Sequence, residues 1–407
     1  MSYMNEAAQD SALKVHKLTF WEAAMIVVGA NIGSGILGLA YSSRRAGWPI
    51  LLLWLVIAGV FTTFSMLYVA ETTLRTKKPL QLPGLAERYV GKLGAVLIFI
   101  SVAANSMGCM IAYMTGSGNI LSKLIGVPNQ VGSLLFAVPA ILVVWLGLKA
   151  TGVAEKFFSF GMMAMVGVII AASFLSDKAN VSGAIYANWT YAVPVFNVAI
   201  FCYIAQYAVP EMARGLRHDP KKLAPAITIG MFLTAVLLAL VPLAVIALTG
   251  PEKVTQVATI AWGEALGQWA FFVANIFALC AMMTSYWAVG GSFLTNIVDM
   301  FKFKSETNFT TRLISVICVC VPPFVLAYSG MVGFVDAIYL AGTFGGVIMS
   351  VLPVMMLKGA RRSGDLEPKW KCGWYSASWV QTLLIVLFCG AAVYAVFDLL
   401  GYLPKAW

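Results

Sequence analysis

The sequence predicts an all-α polytopic membrane protein, and three observations predict it. Hydrophobic residues fill 60% of the 407 positions and charged residues only 11%, at a mean hydropathy of +0.86, which no water-soluble fold exposes without aggregating. The apolar residues come in about eleven stretches of the length, about 20 residues, that a helix needs to cross a hydrocarbon core. The short polar connectors between them carry basic residues in alternate loops, which is the pattern of membrane topology.

In chain order the expected spans are 18–41, 49–74, 93–124, 130–148, 155–176, 192–217, 223–249, 264–300, 309–328, 332–357 and 376–402. Residues 1–17 form a polar segment carrying Glu6, Asp10, Lys14 and Lys17. It shows neither the apolar core nor the small-residue site of a cleaved signal peptide. Residues 18–402 read as one transmembrane domain of a multi-pass protein in the inner (plasma) membrane. With the N-terminus cytoplasmic, 21 of the 27 Lys and Arg fall on the cytoplasmic side and six outside. The net charge of +10 is thus topological and implies no nucleic-acid partner. Arg44 and Arg45, beside Gly47, Trp48 and Pro49, are outer exceptions that read as interfacial anchors. An odd number of spans puts the C-terminus, Lys405 to Trp407, outside. Ten core helices and one peripheral helix fit two inverted five-helix halves, about 18–176 and 192–357, with an extra helix at about 376–402; in such folds the first helix of each half is broken at the membrane midplane. Seven cysteines, among them Cys109, Cys280 and Cys389, show no C-x-x-C spacing and read as small buried hydrophobes.

The first span contains Gly29-Ala30-Asn31-Ile32-Gly33-Ser34-Gly35-Ile36-Leu37-Gly38, four glycines with an Asn and a Ser in ten residues. Each Gly costs about 1 kcal/mol against Ala in a helix, and unwound backbone in lipid needs new partners. A half-helix beginning after a break offers free N–H groups and positive dipole to a carboxylate; freed carbonyls before it suit an ammonium or Na⁺. An amino acid supplies both charges. Close packing through small residues is the competing explanation.

The second break is expected in the sixth span, Phe201-Cys202-Tyr203-Ile204-Ala205-Gln206-Tyr207-Ala208-Val209-Pro210-Glu211, where Pro210 removes an N–H and frees carbonyls near Gln206. Glu211 is a gating or coupling candidate, or the salt-bridge partner of Arg214 and Arg217. In the eighth span, Thr284 and Ser285 carry adjacent hydroxyls that either ligate a small cation or bond back to helix carbonyls.

At these residues the chain resembles the amino acid permeases of the amino acid–polyamine–organocation superfamily. Gly33-Ser34-Gly35-Ile36-Leu37-Gly38-Leu39-Ala40 followed by Gly47 looks like the first helix of the amino acid/auxin permeases, and the bacterial hydroxy and aromatic amino acid permeases are similar. Glu71, Pro210, Arg214, Thr284-Ser285 and Asp299 echo the pattern. The resemblance implies a five-plus-five inverted-repeat fold with helices 1 and 6 broken. It further implies substrate carboxylate on the N–H groups of Ser34 and Gly35 beside Gly33, and ammonium on carbonyls near Asn31 and Phe201. A sodium site would use the Gly29 and Ile32 carbonyls with Ala281, Thr284 and Ser285. Sodium-coupled relatives often have an Asn where this chain has Gly29, and proton-coupled members often have a Lys in span five, which is uncharged here beyond Glu155 and Lys156. The driving ion is therefore Na⁺ or H⁺, with Glu71 and Glu211 as coupling candidates, and no other cofactor is implied.

The side-chain pocket is expected around Asn105 to Cys109, with Tyr203, Gln206, Tyr207 and Trp287, giving an aromatic or other neutral amino acid as substrate. Serine, threonine or a small neutral amino acid is the alternative, as is a transporter-derived sensor; the oligomeric state is open, a monomer being compatible. An intramembrane enzyme would need a nucleophile, base or metal cluster at membrane depth, whereas His16 and His218 both fall in cytoplasmic segments and no H-E-x-x-H occurs. A channel needs no pair of broken helices.

Overall fold

Thr19 caps the first helix, its hydroxyl accepting from the Glu22 N–H at 3.3 Å while the Glu22 carboxylate accepts from the Thr19 N–H at 2.9 Å. Helix α1 (Phe20–Asn31) then stops where the glycine run begins, and α2 (Ser34–Ser43) resumes at an angle of 52°. The first span is broken, as the sequence predicts. Gly47, at φ 95°, turns the chain into α3 (Trp48–Leu74); a Cβ there would lie 1.8 Å from the Tyr186 carbonyl oxygen, so only glycine fits.

The chain continues through a short α4 (Leu82–Val90), the long α5 (Lys92–Ile125), α6 (Asn129–Leu146) and α7 (Gly152–Phe174). The computed structural model describes residues 17–78, 80–146, 152–301, 303, 308–403 and 407, and only the backbone of 152–160, 162, 163 and 299. The expectations for residues before 17, including His16, for the side chains of Glu155, Lys156 and Asp299, and for Lys405 lie outside the described residues.

In the sixth span the break falls earlier than the sequence reading puts it. Helix α8 (Ala192–Phe201) ends at Phe201, an irregular stretch and a 3₁₀ turn (Gln206–Ala208) follow, and α9 (Val209–Gly215) begins beside Pro210. Pro210 starts the second half-helix, where its missing N–H costs nothing, and does not itself interrupt the first. After α10 (Leu223–Thr249) a separate helix α11 (Ala258–Leu266) ends at Gly267, φ 110°, before α12 (Gln268–Met300). The expected eighth span at 264–300 thus joins the end of a lateral helix to a true span. Helix α13 (Phe309–Tyr328) leads to a tenth span of three parts, α14 (Phe334–Leu340), a π-helical turn (Ala341–Gly346) and α15 (Val347–Ser363), and then to α16 (Ser378–Leu399). Among the described residues nine helices or helix runs are long and apolar enough to cross a membrane, and the bent α1–α2 pair makes ten; in α7 the described apolar stretch is Ala164–Phe174.

Small residues let these helices touch backbone to backbone. A Cβ on Gly230 of α10 would come 2.7 Å from the Ala24 carbonyl, and one on Gly342 of the π turn 2.2 Å from the Asn197 carbonyl of α8. The π turn is held from its other side by Ser101 of α5, whose hydroxyl donates to the Gly345 carbonyl at 2.6 Å.

At the end of α3, the wholly buried Glu71 carboxylate accepts from Arg361 at 2.9 and 2.8 Å, from Arg75 at 2.9 Å and from the Cys372 N–H at 2.7 Å. Arg75 also reaches Glu367 at 2.9 Å. The segment after α15 is thereby folded onto the end of α3, and the Asp365 N–H adds a 2.9 Å bond to the Arg75 carbonyl. The Lys77 N–H and the Arg88 guanidinium hold the Asp365 carboxyl below its ordinary range. Its contribution to stability is present above the unfolded-chain carboxylate pKa and is lost as pH falls through the lower folded value.

Removing one member of a buried ion pair strands the others. Glu71→Ala is expected to cost about 3–5 kcal/mol, read as a fall in the melting temperature of the purified protein; an unchanged melting temperature would show the cluster to be dispensable.

Candidate functional site

The two breaks meet. A Cβ on Gly35, in the first turn of α2, would stand 2.6 Å from the Cys202 sulfur and 3.1 Å from the Phe201 ring at the end of α8. Gly35 therefore serves a close crossing of the two broken helices, which is the packing role the sequence leaves open for these glycines. Beside that crossing lies a cavity. Its lining includes Gly33 and Ser34 at the start of α2, Tyr113 of α5, and Ala281 and Ser285 of α12. Ser34 is buried and its hydroxyl has no partner; Asn31 Oδ1, three residues before it, is also buried and unpaired, while its amide nitrogen contacts Met231 sulfur at 3.3 Å. The start of α2 adds its positive dipole end at the same place. The hydroxyl of Tyr113 stands 3.5 Å from where a Gly33 Cβ would be. An uncharged pocket that has oxygens, free N–H groups and a helix dipole at the start of α2 suits the head group of a zwitterion.

Most of the lining is apolar. Ile36, Leu37, Met165, Val166, Val241, Phe277, Ala278, Met282 and Trp262 complete the walls with Thr259. Trp262 is 1% exposed and comes from α11, which closes the cavity from the side; its indole N–H donates to the Ser173 hydroxyl of α7. Thr259, one turn earlier, is tied to α12 through a 3.0 Å bond to Asn275. Two aromatic rings and two methionines among these walls suit a large, flat, apolar group.

The other expected residues are distributed more widely. Phe201 is half-buried at the crossing. Asn105 packs on Gly345 of the π turn, its Oδ1 buried and unpaired. Tyr203 and Gln206 face away from the cavity: the Tyr203 hydroxyl lies 3.2 Å from the Cβ position of Gly59 on α3, and the Gln206 amide donates to the Ser350 hydroxyl of α15 at 3.3 Å. These two are a correction to the expected pocket, and the reason is that the break turns the chain after Phe201 toward α3. Tyr207 is exposed, and Trp287 buries an unpaired indole N–H. Of the residues expected for the ion, Ala281 and Ser285 line the cavity, Gly29 is exposed and Ile32 is buried. The Thr284 hydroxyl donates to the Ala281 carbonyl at 3.0 Å, the helix back-bond that the sequence offers as an alternative. Glu71 sits in the ion cluster described above. Glu211 is exposed on α9, and Arg214 Nε and Nη1 are buried without partners, so the pairing of these two is not formed.

Trp262, Thr259 and Tyr113 were not foreseen. Trp262 and Thr259 stand on a lateral helix that hydropathy merges with the following span. Tyr113 lies four residues beyond the Asn105–Cys109 stretch, and the glycine signal of span one carries no register for span three.

The chain shares its fold with the manganese transporter of Eremococcus coleocola, whose crystal structure holds an aromatic bis-isothiourea compound: the two agree over 95% of this chain and 88% of that one with a TM-score of 0.59 at 13% identity. In sequence it is 25% identical over 398 residues to the tyrosine-specific transport system 1 of Haemophilus influenzae, covering 94% of this chain and 98% of the relative. It is also 25% identical over 375 residues to the tryptophan-specific transport protein of the same organism, covering 83% and 87%. These relatives are transport proteins and not enzymes, consistent with the superfamily resemblance read from the sequence. The profile that matches, over residues 16–397, is not that of either group named there, and by it the chain belongs to the tryptophan/tyrosine permease family.

Proposed function

We propose that this protein is a secondary active transporter that carries an aromatic amino acid across the inner membrane in symport with Na⁺ or H⁺, by alternating access. One observation carries the reading: one cavity is lined both by Ser34, whose hydroxyl is unpaired, at the first break and by the aromatic rings of Trp262 and Phe277. The head group would bind at Gly33, Ser34 and Gly35, with Asn31 and Phe201 nearby, and the ring would lie against Trp262. A serine-sized substrate would leave the apolar walls uncontacted, which speaks against the small-amino-acid alternative. The tyrosine- and tryptophan-specific names of the relatives support the same substrate class.

In this reading the chain has eleven spans in a five-plus-five inverted repeat, with α16 peripheral, a cytoplasmic N-terminus and an outer C-terminus. Spans one, two, six and seven rock against three, four, eight and nine. Each Na⁺ or H⁺ entering down 100 mV supplies about 2.3 kcal/mol before its concentration gradient is added, enough to drive accumulation. Na⁺ would use Gly29, Ile32, Ala281, Thr284 and Ser285; proton coupling would move the role to Glu71 or Glu211.

Uptake of labelled tryptophan, tyrosine and serine into proteoliposomes, with Na⁺ and pH gradients imposed separately, tests the reading. Tryptophan or tyrosine is expected to be accumulated and serine not; accumulation of serine alone would reject the aromatic assignment. Trp262→Ala is expected to raise KM for tryptophan about tenfold, the equivalent of about 1.4 kcal/mol, and equal KM values in mutant and wild type would remove Trp262 from the pocket. Gly33→Ala meets only an ordinary contact with Tyr113, so it should fold normally and weaken uptake. Gly35→Val, by contrast, should lower both folding yield and uptake, and wild-type uptake in either variant would sink the head-group site. Thr284→Ala should weaken Na⁺ dependence most; an equal loss at every Na⁺ concentration and pH would exclude it as an ion ligand.

A further inference from the structure

Helices α11 and α12 are joined by one pair of buried polar side chains at the cavity. On α11, Thr259 and Trp262 stand one turn apart and both line it. On α12, Ala278, Ala281, Met282 and Ser285 line it at the spacing of a single helix face, and Asn275 stands one turn before Ala278 on that face. The Thr259 hydroxyl donates to Asn275 Oδ1 at 3.0 Å, and the two residues are 1% and 0% exposed.

The surroundings fix the direction of that bond. Asn275 Nδ2 donates to two main-chain carbonyls, that of Phe271 at 2.8 Å and that of Thr259 at 3.4 Å. A reversed amide would set Oδ1 against both carbonyl oxygens and lose both bonds. Oδ1 therefore faces Thr259, and the hydroxyl, its one proton given to Oδ1, has only lone pairs left to offer. The neighbouring donor is committed as well, since the Trp262 indole N–H goes to the Ser173 hydroxyl. Ser285, the other hydroxyl that α12 brings to the lining, lies about 15 Å further along the helix from Asn275. Where α11 meets α12, the side chains thus present an acceptor and no free donor.

Aromatic amino acids differ in what their rings can do with such an acceptor. An indole N–H donates and has no lone pair of its own to satisfy. A phenol can donate, but it brings lone pairs that would find no donor here, and burying an unpaired polar group is costly. A phenyl ring offers nothing to Thr259.

We propose that Thr259, its proton held by Asn275, accepts the substrate's indole N–H and sets a preference for tryptophan over tyrosine and phenylalanine. Asn275 is the positioning residue. The inference rests on the aromatic-substrate reading above and goes beyond it by naming the ring that is read and the atom that reads it.

The test is equilibrium binding of radiolabelled tryptophan to the purified full-length protein in detergent, displaced by unlabelled tryptophan, tyrosine, phenylalanine or benzothienylalanine. In the last, sulfur takes the place of the indole N–H at nearly the same size. The wild type is expected to bind tryptophan about tenfold tighter than benzothienylalanine, the worth of one hydrogen bond. Thr259→Val should bind these two alike, and Thr259→Ser should keep the preference. Asn275→Leu frees the hydroxyl to donate and should bring tyrosine closer to tryptophan, a change of ratio that a merely structural role would not produce. Should neither variant fold, the wild-type ratio alone decides. Equal wild-type affinities for tryptophan and benzothienylalanine, or a full preference in Thr259→Val, would overturn the assignment while leaving the aromatic pocket in place. Binding of none of the aromatic amino acids would instead overturn the pocket itself, and this inference with it.

Discussion

In a bilayer, unwound backbone has no water to turn to, so each of its polar groups must be satisfied inside the protein or by something the protein binds. That constraint organises this structure. Two of its spans stop and restart near their centres, α1 giving way to α2 and α8 to α9, and the surroundings of both breaks are built to accommodate them. Gly35 brings the start of α2 against Cys202, so the breaks support each other sterically, while Gly342 and Gly230 let the π turn and α10 close in from other sides. The glycines cost helix propensity and return close packing, which in lipid is the main force holding helices together.

The same crossing divides two environments. On one side lies the cavity, with Ser34, Tyr113 and Trp262 among its lining. On the other, Tyr203 and Gln206 point to α3 and α15. The closing helix α11 lies outside the set of spans and is pinned by Trp262 to Ser173 and by Thr259 to Asn275. It is also packed on α12, where a Cβ on Gly263 would stand 2.5 Å from the Phe271 backbone.

Much of this was legible in the sequence, and the failures have physical causes. The apolar spans and the first break could be read directly, since hydropathy reports burial in lipid and a run of Gly29 to Gly38 is a poor helix whatever surrounds it. The second break was assigned to Pro210 because proline is the strongest local breaker. In the structure Pro210 starts α9, and the chain unwinds at Cys202–Ala205, a stretch with no breaker residue, so tertiary packing against Gly35 and Gly342 decides it. The π turn at Ala341–Gly346 is similar: its glycines were visible, but an extra residue per turn depends on contacts with Ser101 and Asn197. Trp262 was hidden by its position on a lateral helix, and the orientation of Tyr203 by the lost periodicity of the break.

The two chemistries of buried polarity in this protein are unlike, and the difference bears on what can move. Around Glu71 every carboxylate oxygen is matched by a donor from α3, α15 or the segment that follows. Breaking that cluster would strand charge, so it resists change and holds spans two and ten together at one end. Around the breaks, by contrast, Asn31, Ser34, Asn105, Tyr203 and Gln206 each keep an unpaired oxygen. Neutral orphans are tolerable in a way that a stranded charge is not. They also leave the local energy dependent on an occupant, so that a substrate or ion arriving there changes which arrangement of the helices is most stable, and only differential interaction of that kind can drive a conformational equilibrium.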